Sequence, residues 1–362
     1  MKKLLLILVP GLAFGCGKEP SESFRHVPGG LRNEISVNVT AAAFSPDGKF
    51  LLLGYNIIKG PNQGFPGDDE FLVLREVASG KKVRILHGHS RVVTSVFFLP
   101  DGQQALSASM DGTIKVWNVT NGREVRTIVP YEDGGEIRAA LSKDGKQALS
   151  KGREKEGEKY FHRLKLWDVD SGTLIRAFEP FRRDLNSVAL APNGKLAVTG
   201  GYTRDYDNLH LWDVEAGKII HTFNGGIGVT WPGMFSPDGK SFIFHKKKGE
   251  NPESGSGLVM WDLAKSKEVQ VLDGLWYGYR AACFTPDSKH ILTTGGDWRL
   301  RFWETSTGKE VWSEYAPDIR AIALSPDGQL GFTASGSEGS IRLKLWDVNK
   351  GVFLRNLDPN SK

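Results

Sequence analysis

Residues whose side chains could carry out chemistry are few in this sequence, and they are scattered. His87 and His89 flank Gly88 as a local histidine pair, and Asp68–Glu70 form an acidic run. Such groups bind metal ions when several of them converge. An isolated pair and an isolated run are more typical of scaffold and solvated surface. We therefore expect no metal site.

Nucleophilic chemistry has equally little support. Cys283 stands beside Phe284 in an apolar run, where a small core residue is the simpler interpretation. The sequence has no G-x-S-x-G nucleophile elbow, no H-E-x-x-H motif, no P-loop and no paired cysteine motif. These observations favour a protein that is not an enzyme and that uses no cofactor.

The elements that would position any site come from an internal repeat. A turn phrase of the type S-P-D-G-K occurs seven times, spaced 40 to 54 residues apart. The copies lie at 44–49, 98–103, 141–146, 190–195, 235–240, 284–289 and 324–329. Pro presets φ, Asp bonds the local backbone and Gly accepts a positive φ, so that each copy closes a tight hairpin.

A second phrase follows each turn and reads LKLWDV at both 164–169 and 343–348. Its alternation places Leu and Trp or Val on one face of a strand, and a Gly supplies the next turn. Strand-like runs lie between the turns, and no stretch has a sustained 3.6-residue apolar period. Each unit therefore predicts four short antiparallel strands, here labelled a to d, and the fold class is all-β.

These phrases resemble the WD-repeat β-propeller family over about 37–362. The resemblance implies a seven-bladed β-propeller of four-stranded antiparallel blades, with a Trp at the end of strand c wedged between neighbouring blades. Unit one has Leu74 at that position. The other six units carry Trp117, Trp167, Trp212, Trp261, Trp303 and Trp346.

Members of the family often carry a hydrogen-bonded set of His, Ser, Asp and Trp in each blade. Unit two alone has the full set, as His89, Ser107, Asp111 and Trp117. The resemblance implies that this set is structural. Residues 351–358 supply strand d of unit seven, which makes residues 24–36 a lead-in or an extra edge strand.

Residues 1–15 are typical of a signal peptide, with Lys2 and Lys3 before a short apolar run. The letters LAFGC resemble the lipobox of bacterial lipoproteins, although Ala13 stands where that family usually has Leu. We expect an exported protein with a lipid on Cys16, a flexible segment at 16–36, and a place at the cell envelope or periplasm. Cleavage elsewhere, giving a soluble exported protein, is the alternative.

Charge argues against nucleic acid as a partner. The chain has 47 Lys and Arg against 42 Asp and Glu, a net charge of +5. Without Lys2 and Lys3 the excess falls to +3, and both signs are interspersed. We expect a monomer whose partner is an unidentified envelope protein.

Candidate binding residues lie where the repeat is interrupted. Insertions between strands b and c occur at 56–70, 152–160 and 245–257, and in this family such connections share a top face with the d–a links. Aromatic residues accumulate in these connections, which favours a binding face over neutral loop variation. They are Tyr160, Tyr202, Tyr206, Trp276, Tyr277, Tyr279 and Trp298.

Three arginines recur at the start of strand a: Arg138, Arg280 and Arg320. Since innermost strands line the channel of a propeller, they would surround its top mouth and suit a carboxylate or acidic peptide. Salt bridges within the fold are the alternative. The sequence thus predicts a non-catalytic scaffold that binds a protein through its top-face loops. A periplasmic binder of small anions or peptides and a lactonase-like or quinone-dependent propeller enzyme remain as alternatives.

Overall fold

A computed structural model describes residues 36–58, 71–132, 134–180, 185–201, 208–224, 233–247, 256–273, 279–337 and 340–357. These residues form seven separate four-stranded antiparallel sheets. The predicted seven-bladed all-β propeller is therefore confirmed. Within the described ranges, no helix is long and apolar enough to cross a membrane.

The strands follow one another in chain order, four to a blade. The first two blades contain β1 (Ser36–Phe44), β2 (Phe50–Ile58), β3 (Leu72–Glu76), β4 (Lys82–Ile85), β5 (Val93–Phe98), β6 (Gln104–Ser109), β7 (Ile114–Asn118) and β8 (Glu124–Ile128). Blades three and four contain β9 (Arg138–Leu141), β10 (Gln147–Glu156), β11 (Lys159–Asp168), β12 (Leu174–Ala177), β13 (Ser187–Leu190), β14 (Leu196–Gly201), β15 (Asn208–Asp213) and β16 (Lys218–Asn224).

The last three blades repeat the same pattern. Blades five and six contain β17 (Met234–Phe235), β18 (Ser241–Lys247), β19 (Ser256–Asp262), β20 (Lys267–Leu272), β21 (Tyr279–Phe284), β22 (His290–Gly295), β23 (Arg299–Glu304) and β24 (Glu310–Tyr315). Blade seven contains β25 (Ile319–Leu324), β26 (Leu330–Ser337), β27 (Ser340–Asp347) and β28 (Val352–Asn356).

The connections of these sheets divide between two faces of the ring. Because the strands are antiparallel and adjacent in order, the a–b and c–d turns lie at the bottom, and the b–c and d–a connections lie at the top. The first strands of neighbouring blades contact one another, as β1 does with β5 and β25. Strand a is therefore the innermost strand of each blade.

The S-P-D-G turns form bottom hairpins for the reason that their residues suggest. In blade one, Gly48 has a φ of 72°. The Asp47 carboxylate accepts hydrogen bonds from the Ser45 hydroxyl (2.7 Å) and the Lys49 N–H (3.1 Å). The Ser45 bond is the largest of the effects that lower the pKa of Asp47. The N–H of Val77 then bonds to the carbonyl of Lys49 at 2.8 Å and ties the c–d turn to the a–b turn.

The strand-c tryptophans join each blade to the one before it. Trp117 of blade two packs with Leu52, Leu72 and Leu86 of blade one, and its side chain is fully buried. Its indole N–H also donates to the Ser107 hydroxyl of its own blade at 2.8 Å. A β-bulge between Val116 and Trp117 immediately precedes the tryptophan. It directs the indole side chain into the core between the two blades.

Blade one departs from the sequence prediction at this position. The same bulge falls between Leu74 and Arg75, so Arg75, not Leu74, occupies the place of the Trp. The prediction was wrong by one residue. Arg75 is 7% exposed, and its guanidinium donates to the Gly80 carbonyl at 2.8 Å. The hydroxyl partner is also missing, because Leu53 stands in the register position that Ser107 holds in blade two.

Packing closes the ring between blades seven and one. All four strands of blade seven come from residues 319–356, and all four strands of blade one come from residues 36–85. The seam contains a shared apolar core, and Arg355 donates a hydrogen bond to the carbonyl of Val77. The four strands of blade seven thus end with β28, as predicted. Ser36 opens strand a of blade one, and residues 24–35 lie outside the described residues.

One predicted insertion is not a loop. Residues 152–160 continue strands β10 and β11 in unbroken register out to the pair Glu156 and Lys159. Each strand has ten residues, and only Gly157 and Glu158 form the turn. Alternating charged residues read as loop in the sequence, but here they lie on the two faces of a pleated hairpin. We call residues 152–160 the blade-three arm.

Candidate binding face

Blade two contains a chain of hydrogen bonds that runs from a carboxylate to a hydroxyl. The His89 Nδ1 lies 2.7 Å from Asp111, and its Nε2 lies 2.7 Å from the Ser107 Oγ. Asp, His and Ser in this order also form the relay of serine hydrolases. Here Ser107 has no exposed surface and accepts the Trp117 indole N–H as well, so no substrate reaches its hydroxyl. The chain ties the top of blade two together.

The carboxylate of this set is strongly perturbed. Burial raises the pKa of Asp111, but the hydrogen bond and charge of His89, followed by hydrogen bonds from Thr113 and the Ser90 N–H, outweigh it and lower the pKa to about 2. The ordinary value is 3.8.

A carboxyl whose pKa is lower in the folded state adds stability above its unfolded pKa and loses it as pH falls. We expect the stability advantage of the wild type over Asp111→Asn to be full above about pH 4 and to disappear as the pH approaches about 2. Urea unfolding at a series of pH values measures it. A difference that stays constant from pH 6 to pH 2 would contradict the assignment.

The other candidates for chemistry lie in environments that do not support it. His87 is exposed whereas His89 is buried, so the two do not form one site. Burial raises the pKa of the Cys283 thiol, and Cys283 packs against the core between blades six and seven. Within the described ranges, no three His, Cys, Asp or Glu side chains converge as a possible metal site. The run Asp68–Glu70 lies outside those ranges.

The three arginines at the start of strand a are not equivalent. Arg280 and Arg320 each occupy a bulge, between Tyr279 and Ala281 and between Ile319 and Ala321. Arg138 instead pairs regularly with Lys151, one position nearer the bottom turn. The three segments have similar sequences, so the shift of Arg138 by one residue is not visible in the sequence alone. The structure therefore does not place all three arginines at one level of the channel.

Their partners differ too. The Arg138 Nε lies 2.8 Å from the Glu136 carboxylate, and the Arg280 guanidinium lies 3.5 Å from the carboxylate of Asp318. The Nε of Arg320 is buried, and among the described residues nothing accepts a hydrogen bond from it.

Tyr160 lies near the tip of the blade-three arm, on the top face. It is 48% exposed, and the Arg153 guanidinium stacks on its ring at 4.1 Å from the centroid. On the opposite face of the arm, Arg163 and Lys165 both pair with Glu154. Tyr160 therefore extends from the propeller as a half-exposed aromatic side chain in contact with a guanidinium.

Trp298 lies in the b–c turn of blade six, at the place where Gly112 stands in blade two. Its φ is 63° and that of Gly112 is 88°. The two residues close equivalent turns, since their N–H groups bond to Gly295 and Ser109. A bulky residue in the left-handed region is uncommon and costs about 1–2 kcal/mol. Trp298 is nevertheless 45% exposed.

The described aromatic candidates do not form one cluster. Tyr160 belongs to blade three and Trp298 to blade six, with blades four and five between them. Tyr279 begins β21, and its side chain is not described. The other candidates, Tyr202, Tyr206, Trp276, Tyr277 and the lipidation candidate Cys16, lie outside the described residues.

Two stretches of this chain match the model of a known protein family. Residues 80–118 and 268–304 match the family described as "WD domain, G-beta repeat". These stretches contain strand d of blades one and five, followed by strands a to c of blades two and six, within a ring of seven blades. The findings support a WD-repeat β-propeller.

Similar curated proteins carry the same repeat name or belong to assemblies. This chain is 23% identical to "WD repeat-containing protein 1" of Rattus norvegicus over 68% of this chain and 40% of that protein. It is 22% identical to the "U3 small nucleolar RNA-associated protein 15 homolog" of Xenopus tropicalis, over 79% of this chain and 42% of that protein. The chain thus spans less than half the length of both. It is also 22% identical to "Eukaryotic translation initiation factor 3 subunit I" of Candida albicans, over 76% of this chain and 85% of that protein.

Sequence reasoning missed a set of bonds on the outer side of the WD-repeat propeller. In several blades a side chain of strand d donates to a carbonyl in the c–d turn of the next blade. Arg126 bonds to Val169 at 2.9 Å. Trp312 bonds to Val348 at 2.8 Å. The recurrence of Arg at 84, 126, 176 and 355 was the available signal.

Proposed function

We propose that this protein is a non-catalytic interaction scaffold that binds a protein partner on its top face. The ring supplies a rigid frame, and the top connections vary from blade to blade while the bottom turns repeat. Variation on one face of a uniform ring is typical of a binding face. The relatives support a scaffold role, because one is named as a subunit and another as an RNA-associated protein.

Trp298 is the observation that carries the proposal. A Gly would satisfy the turn at this position, as Gly112 does in blade two. The chain instead holds a half-exposed Trp in an unfavourable backbone conformation. Exposed tryptophans dominate the binding energy of protein interfaces. Strain that does not serve the fold therefore favours a role in binding.

Export and lipid anchoring on Cys16 are also part of the proposal. They rest on the signal-like residues 1–15 and the lipobox-like letters before Cys16. β1 runs from the top face to a bottom turn, so Ser36 lies on the top face. A chain anchored through Cys16 would therefore enter the ring from the face that we propose for the partner. Fractionation of cells that express the wild type and Cys16→Ala tests the anchor separately from the binding face.

Replacing Trp298 by Gly tests the binding role. We expect the free energy of unfolding to stay within about 1 kcal/mol of the wild type, because relief of backbone strain offsets the entropy cost of Gly. We expect recovery of the specific partner to fall about tenfold or more, as for an interface hot spot. In-cell crosslinking followed by pull-down of the full-length chain measures this recovery.

Val125→Ala is the matched control, because Val125 is 50% exposed on strand d of blade two, near the bottom face. It should capture the same proteins as the wild type. A variant with the blade-three arm shortened to a turn like Met110–Gly112 tests the second top-face element. If the wild type, Trp298→Gly and the shortened arm capture identical sets, the top face is not the binding face.

A further inference from the structure

The bulge in strand a directs a side chain toward the next blade. In blade one the Thr40 hydroxyl lies 2.5 Å from the carbonyl oxygen of Val93, at the start of β5. In blade two the Thr94 hydroxyl bonds to the carbonyl of Ile137, just before β9. Both threonines occupy bulges. The bulge residues of neighbouring blades therefore lie close together around the top of the channel.

Arg280 and Arg320 hold this same position in blades six and seven, whose first strands are in contact. The Arg280 guanidinium reaches the Asp318 carboxylate, only two residues before Arg320. Of these two permanent cations at the channel mouth, only Arg280 forms an ion pair with a described carboxylate. Arg remains charged at any working pH, so this imbalance persists.

Arg320 lacks the acceptor that its geometry requires. Its Nε is buried, and none of the described residues accepts a hydrogen bond from it. A buried donor without an acceptor destabilises the fold. Arg138 provides the contrast, because Glu136 satisfies its Nε at 2.8 Å. Of the three arginines at the start of strand a, only Arg320 has a buried Nε without a described acceptor.

We propose that Arg320 and Arg280 form a carboxylate-binding site at the top mouth of the channel. The planar guanidinium of Arg320 would take both oxygens of the ligand in a bidentate pair, and Arg280 would be shared with Asp318. The carboxylate can belong to a small free acid or to an acidic side chain of a peptide. This site is independent of the scaffold proposal, since it needs neither Trp298 nor the blade-three arm.

Calorimetric titration of the purified, full-length propeller distinguishes the two sources. One titration uses succinate, and the other uses a short amidated peptide of Asp and Glu. Sodium chloride at equal ionic strength is the control for both titrations. We expect saturable binding of at least one of them to the wild type. Arg320→Gln should weaken it about tenfold or more, as expected for a lost charged hydrogen bond. Asp318→Asn should strengthen it, because the competing carboxylate is gone.

Arg138→Gln is the matched control and should bind as the wild type does. Arg320→Gln should also fold with unchanged or higher stability, since it removes a buried Nε–H group that has no acceptor among the described residues. Binding of succinate alone identifies a small-acid site, and binding of the peptide alone identifies a site for an acidic segment. The proposal is overturned if neither carboxylate binds saturably, or if Arg138→Gln loses as much affinity as Arg320→Gln.

Discussion

Replacing Trp117 by Ala lowers the free energy of unfolding by about 3–5 kcal/mol, the usual cost of truncating a fully buried Trp. The indole fills the core between blades one and two, so its loss leaves a cavity at an inter-blade seam. It also removes the donor to Ser107 from the chain that contains His89 and Asp111. Urea unfolding followed by tryptophan fluorescence and by circular dichroism measures the loss as a lower midpoint.

Trp261→Ala is the matched variant in blade five. Trp261 holds the same position but is only half-buried. Phe244 occupies the register position in blade five that Ser107 holds in blade two. It packs edge-on against Phe223, with ring centroids 4.8 Å apart. We expect a clearly smaller loss than for Trp117. Equal losses would mean that burial and the Ser107 bond do not set the contribution of the strand-c Trp.

Replacing Gly80 by Ala destabilises the ring at the seam between blades seven and one, by about 2–5 kcal/mol. Gly80 has a φ of 72°, which alone disfavours a side chain. A Cβ there would collide with the backbone carbonyl of Leu357. Moving Leu357 away would break its N–H bond to Leu343, which is 2.7 Å long. Since the two blades share no strand within the part of the chain that the structure describes, packing at this seam closes the ring there.

Gly48→Ala isolates the backbone part of this effect. Gly48 has the same φ of 72°, but a Cβ there would meet only the Pro326 ring at 3.8 Å. We expect a loss of about 1–2 kcal/mol from the left-handed conformation alone. Thermal unfolding and urea titration of both variants give the comparison. If Gly80→Ala costs no more than Gly48→Ala, the seam is not held by the contact with Leu357.

The sequence predicted the blades well because their turns are local. Each S-P-D-G phrase closes its hairpin through bonds within about five residues, such as those between Asp47, Ser45 and Lys49. The prediction needs no knowledge of distant contacts. Seven turn phrases therefore identify seven blades, and the strand-c phrase identifies the third strand of each blade.

The sequence predictions that were wrong concern residues whose position depends on the register between β-strands. Leu74 and Arg75 differ by one residue, and the bulge before the Trp position determines which of them faces the neighbouring blade. Arg138 shares its letters with Arg280 and Arg320, but regular pairing places it at another level. The blade-three arm reads as a loop because polar residues dominate it, although its strands pair throughout. A one-residue shift reverses the face of every side chain.

By itself, the sequence determined the number of blades, the strand order within each blade and the face on which the connections vary. Turn chemistry and two-residue alternation are local, and these features follow from them. Tertiary structure alone decided that Arg75 lies in the closing seam and that Trp298 occupies a position suited to Gly. It also decided that Arg138 has a carboxylate partner, whereas the Nε of Arg320 has no acceptor among the described residues. Those facts depend on bulges and on contacts between segments far apart in the chain, which no local pattern specifies.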